Sequence, residues 1–219
     1  MFEGSIKEKI INITNGDAFN EYFLSKLGGL AVPFREAMMD GNTVPEVYSN
    51  EFLSVRSAAL NVSEEKYRQN MVAYDALNRD KYDYIQLWFG KDTFCQMNLL
   101  TLLAYLEQSG CISNVVLNYI EDETFEVIDD EIDVHLGIYN GLYNDILINK
   151  HLPDSLGVLI PKTIELYFDY HSDNGALAKL IEENADLDHD ELVGLLLEKS
   201  EEYGLSDILA ESLIEKYKK

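Results

Sequence analysis

Short apolar runs, each closed by a polar elbow and then a helical stretch, recur through the first half of the chain. Ile10-Ile11-Asn12-Ile13-Thr14 leads into Asn15-Gly16-Asp17 and a helix over 18–27. Leu30-Ala31-Val32-Pro33-Phe34 follows the break at Gly28-Gly29 as a second strand, and Pro33, which lacks a ladder donor, suits a place near an edge or at the strand's end. Helices over 50–60 and 64–78 come next, with Asn61-Val62-Ser63-Glu64 resembling a capping box. Tyr84-Ile85-Gln86-Leu87-Trp88-Phe89 then leads into Gly90-Lys91-Asp92 and a helix over 93–109, closed by Gly110. A further strand covers 114–120. This alternation predicts an α/β fold with a mostly parallel open sheet and helices on both faces.

Beyond residue 120 the pattern changes. Glu121-Asp122-Glu123 is a turn and 125–128 suits a short strand, but from 131 onward helical spacing dominates through Ile132, Leu136, Tyr139, Tyr143 and Ile146. Pro161, Asp188 and Ser206 mark helix starts, and Lys216, Lys218 and Lys219 sit at the end of the last helix, where cations are favoured. The expected organisation is a sheet domain over 1–120, followed by an acidic, all-helical C-terminal region over 121–219 packed on it.

Charge sharpens this division. The net charge is −23; residues 1–120 hold 15 acids and 10 bases, whereas 121–219 hold 25 acids and 7 bases. Such a field repels phosphate backbones, so direct nucleic-acid binding is disfavoured. It equally attracts cationic surfaces, which makes a basic protein partner for a non-catalytic acidic module the alternative reading. No apolar stretch approaches the roughly 20 residues that span a bilayer. The opening Met1-Phe2-Glu3-Gly4-Ser5 has no basic region followed by an apolar one, so a cytoplasmic location without membrane association is expected. Cys95 and Cys111 are the only cysteines and read as reduced, packed thiols.

Three motifs, Thr14-Asn15-Gly16-Asp17, Phe34-Arg35-Glu36-Ala37 with Asp40-Gly41 behind it, and Leu87-Trp88-Phe89-Gly90-Lys91-Asp92-Thr93-Phe94-Cys95-Gln96, resemble in order and spacing the bacterial family known as domain of unknown function 1835. The resemblance covers about residues 10–120. Phe34 stands where that family usually has Trp, and Lys91 where it often has His. The resemblance implies a fold and a site, and no reaction.

If the strand ends converge, Asn15, Gly16, Asp17, Arg35, Glu36, Asp92 and Gln96 form one ligand-binding crevice. Gly16 permits a tight turn, and the following helix offers unpaired N–H groups to a phosphate or carboxylate. Arg35 suits a bidentate fork to an anion, or an internal ion pair with Glu36, Asp17 or Asp92. Asp17 and Asp92 equally suit plain helix caps. Gln96 shares a helix face with Asp92. The set fits a small anionic or nucleotide-like ligand, with a divalent cation compatible with the two carboxylates. Other chemistries fail on spacing: Asp186-Leu187-Asp188-His189-Asp190 begins like a calcium loop but continues with Glu191 where Gly is needed, and neither a dinucleotide glycine fingerprint nor a Walker loop occurs. No metal site is expected among the candidates.

Overall fold

The computed structural model describes residues 8–79, 81–121 and 123–218. The opening residues read above for a leader, together with Asp122 and Lys219, lie outside the described residues.

Five strands form one sheet in the order β2-β1-β3-β4-β5: β1 (Ile10–Asn15), β2 (Ala31–Phe34), β3 (Tyr84–Phe89), β4 (Asn114–Ile120) and β5 (Val127–Val134). The first four are parallel, and β5 pairs antiparallel with β4. From β1 the chain winds outward to β2, then returns past β1 to β3 and β4. The switch point therefore lies between β1 and β3.

Strand alternation sorts side chains to two unequal faces. Ile11, Ile13, Phe34, Ile85, Leu87, Phe89, Val115 and Leu117 enter the main core with α2 (Asn50–Ala59), α3 (Glu64–Asn70), α4 (Val72–Arg79) and α5 (Thr93–Gln108). The opposite face carries α1 (Asp17–Lys26), whose Phe19 and Phe23 pack with Trp88 and Ile120 in a small aromatic cluster. Asn12 and Thr14 also face this side and are satisfied there: Trp88 Nε1 donates to Asn12 Oδ1 at 3.0 Å, and Thr14 Oγ1 donates to Asn20 Oδ1 at 3.1 Å.

Two expectations are corrected. The acidic region is not all-helical, because its first part is the edge strand β5. Of β5, only Val134 is buried, and Glu131 adopts φ +53° within an irregular register. An edge strand exposed on one side needs few apolar residues, and the irregularity breaks the alternation that would reveal it. The helix expected over 64–78 ends at Asn70 and restarts at Val72. Met71 is buried at the break, and the freed Asn70 carbonyl accepts from Arg35 Nη1 at 3.2 Å.

The remaining helices are α6 (Tyr139–Tyr143), which continues as a π-helical turn over Asn144–Ile148, then α7 (Pro161–Tyr170), α8 (Ala176–Glu183), α9 (His189–Lys199) and α10 (Asp207–Tyr217). Asp188 and Glu191 form a reciprocal capping box on α9, and Pro161 opens α7. A 3₁₀ turn, Glu201–Tyr203, follows α9 and latches onto the start of α5, with Thr93 Oγ1 donating to Glu202 O at 3.0 Å. Among the described residues no helix is long and apolar enough to cross a membrane.

Candidate functional site

A crevice of about 900 Å³ opens at the carboxyl ends of β1, β3 and β4. Its floor is Asn15, the last residue of β1, and the first turn of α5 with Asp92 and Cys95. The segment 160–166 and the turn around 200–205 wall it from above, bringing Lys162, Thr163 and Ser200 to the same hollow. Open α/β sheets that bind ligands do so outside the carboxyl ends of their strands, the position this crevice occupies.

Of the seven residues predicted to meet there, Asn15 and Asp92 line the crevice. Asp92 is the N-cap of α5, its Oδ1 accepting from the Cys95 N–H at 2.9 Å. Gly16 sits beside Asn15 at φ +82°, with its N–H donating to Phe34 O at 2.9 Å. That backbone conformation is one side chains rarely adopt, so the turn itself calls for glycine.

Asp17 and Arg35 meet each other instead. Arg35 Nε reaches both carboxylate oxygens of Asp17 at 2.9 and 3.1 Å, and Nη2 lies 2.8 Å from Oδ1. The fork expected for an anionic ligand is thus closed on an internal carboxylate, on an exposed rim. Gly16, not Asp17, is the N-cap of α1.

Glu36 lies in the interior, 2% exposed. The Tyr67 hydroxyl donates to its Oε1, the Ala37 N–H donates to Oε2 at 3.2 Å, and Arg56 Nε stands 3.5 Å away. Burial pushes its carboxyl above the usual range, against the opposing pull of Arg56. Arg56, itself fully buried, donates to the carbonyls of Ala37, Asp40 and Asn42 and so binds the loop after β2 into shape. Glu36 is part of that buckle. Gln96 is likewise internal: its Nε2 donates to Gly90 O at 3.0 Å, and its Oε1 accepts from the Ile160 N–H at 3.2 Å, joining the end of β3 to the segment before α7.

A residue outside the predicted set joins the three motifs. Asn98, fully buried on α5, accepts from the Met38 N–H at 3.0 Å through Oδ1. Its Nδ2 donates to Glu36 O at 2.7 Å and to Asn15 Oδ1 at 3.0 Å. Asn15 in turn donates from Nδ2 to Cys95 Sγ at 2.9 Å. Because a backbone N–H only donates, Met38 fixes the Asn98 amide, and Asn98 fixes that of Asn15. The relay ends with a donor aimed at sulfur.

Lys91, on the crevice wall, pairs with Asp129 of β5 and stands over the Tyr119 ring at 5.3 Å. Cys95, Ser200 and Lys162 escaped the sequence reading for different reasons. Cys95 has the pattern of a packed helix thiol, while Ser200 and Lys162 come from distant helical segments whose docking no local pattern records. Among the described residues no group of three or more His, Cys, Asp or Glu is gathered for a metal ion. Comparison of the chain with protein-family models, with curated proteins and with solved structures returns no match.

Proposed function

We propose that the protein binds a small anionic, nucleotide-like ligand in the strand-end crevice. The observation that carries this reading is a hollow of about 900 Å³ at the switch point of the sheet, combining an apolar wall with Lys162. Phe94, Ile120, Ile160 and Leu166 offer a surface for a flat apolar body, while Lys162 supplies charge for an anionic group and Lys91 is already paired with Asp129. Acids share the rim, notably Asp92, Glu121 and Glu201. They favour a phosphate ligand that arrives with a divalent cation over a bare polyanion. Binding, rather than turnover, is what this arrangement supports. A cytoplasmic location and membership of the domain of unknown function 1835 family belong to the same proposal and add no reaction to it.

Thermal unfolding of the intact protein against adenosine and guanosine mono-, di- and triphosphates, with and without magnesium, tests this. A ligand at about 100 times its Kd stabilises by about 2.7 kcal/mol. Lys162→Ala should abolish the shift and leave the ligand-free midpoint unchanged. A panel without any shift, or one that Lys162→Ala leaves intact, contradicts the proposal.

One observation favours a second reading. The open edge strand β5 exposes Asp129, Asp130, Glu131 and Asp133, a surface suited to a basic protein partner. Pull-downs at low and high salt test it, since such capture must weaken as ionic strength rises.

A further inference from the structure

The two cysteines of the chain lie near opposite ends of helix α5, Cys95 within it and buried, Cys111 beyond it. Cys95 is its third residue and lines the crevice; Cys111 lies three residues past its last, half-buried. A helix N-terminus favours an anion, and Cys95 lies in the first turn of this one.

Three further features distinguish Cys95. The relay from Met38 through Asn98 holds Asn15 Nδ2 at 2.9 Å from Sγ, and a donor placed on sulfur favours the thiolate over the thiol. Lys162 stands in the same crevice. Ser200, 1% exposed and also in the crevice wall, has a hydroxyl oxygen with no hydrogen-bond partner. A buried hydroxyl left without a partner is rare in a finished interior and marks a position where a ligand atom completes the bonding. Asp92 works against the thiolate from one side, although its carboxylate is occupied by the Cys95 N–H.

We propose that Cys95 is a reactive thiol, and that a small disulfide bearing carboxylates exchanges onto it within the crevice. This rests on the reading of that crevice as a seat for small anionic ligands. The Cys95 thiol gives its proton to solvent, and the thiolate attacks one sulfur of the disulfide. A bond forms between Cys95 and that half, and the original S–S bond breaks. The other half leaves as a thiolate and takes up a proton, so the small disulfide is the only oxidant required. The adduct fills the crevice and excludes other ligands until a reducing thiol removes it.

Oxidised glutathione, incubated with the full-length protein at neutral pH, is the probe, with the adduct located by peptide mass mapping. The expected result is an adduct on Cys95, present in Cys111→Ser, absent in Cys95→Ser and reversed by dithiothreitol. Asn15→Asp keeps the acceptor for Asn98 and replaces the donor facing sulfur with a carboxylate oxygen. It should slow the reaction at least about tenfold. Reaction confined to Cys111, or an equal rate in a folded Asn15→Asp, overturns the proposal. If Asn15→Asp does not fold, iodoacetamide alkylation of the wild-type protein decides: Cys95 reacting faster than Cys111 supports the proposal, and slower contradicts it. Should Cys95→Ser keep the nucleotide-induced thermal shift while wild-type Cys95 takes no adduct, this inference fails and the crevice reading stands.

Discussion

Gly204 is pressed against Asp92: a Cβ at 204 would stand 2.1 Å from Asp92 Oδ1. Its φ of +67° excludes most side chains independently. The contact matters because Asp92 Oδ1 is the oxygen that caps α5, so the turn after α9 closes directly on the crevice floor.

Gly204→Ala must therefore push on the cap and strain the backbone together. The two effects sum to about 2 kcal/mol of lost stability. Urea unfolding measures it, and an unchanged midpoint would show that the turn and α5 do not bear on each other.

Arg35 and Asp17 form an exposed pair, with the Asp17 side chain 58% exposed. A double-mutant cycle on Asp17→Ala and Arg35→Ala should give a coupling of about 0.5–1 kcal/mol, falling with added salt. Neither substitution should alter ligand-induced stabilisation, because the guanidinium is spent on Asp17 and the Asn70 carbonyl outside the crevice. Loss of ligand binding in Arg35→Ala would return Arg35 to the site.

His171 supplies a pH-dependent term. Burial, then the neighbouring Lys150 charge, pushes its pKa down from 6.5 to about 4, while its Nε2 lies 3.1 Å from Met39 O. The folded state thus holds the ring neutral where the unfolded chain would protonate it. That contribution is complete above pH 6.5 and is lost as pH falls toward about 4, by at most about 3 kcal/mol. Chemical denaturation between pH 7 and 4 should show this limb, and His171→Gln should flatten it. An identical acid limb in the variant would assign the effect to other groups.

How far the chain announced this structure depends on where each partner comes from. The four parallel strands were legible because their buried faces demand near-continuous apolar runs, as in Tyr84–Phe89. β5 was legible only at its start, where 125–128 suited a short strand, since an exposed edge strand holding Asp129, Asp130 and Glu131 has no buried face to record. The crevice was legible through Asn15 and Asp92, which sit on local elbows. Arg35, Glu36 and Gln96 went elsewhere because their partners, Asp17, Arg56 with Tyr67, and Gly90 with Ile160, are supplied by tertiary approach. Glu36 illustrates the point: adjacent to Arg35 in sequence, it turns inward to a buried arginine 20 positions on. Asn98 lies just past the last motif, and its amide ties Asn15 to the backbone at Glu36 and Met38.

The hollow above Asn15 and Asp92 is where we propose that a small anionic ligand sits. A crystal structure of the protein grown with its most stabilising nucleotide and magnesium tests it most directly. The expected density places a phosphate within hydrogen-bonding distance of Lys162, with the base against Phe94 and Ile120. Ordered nucleotide on the Asp17–Arg35 rim, or anywhere outside this hollow, would contradict it.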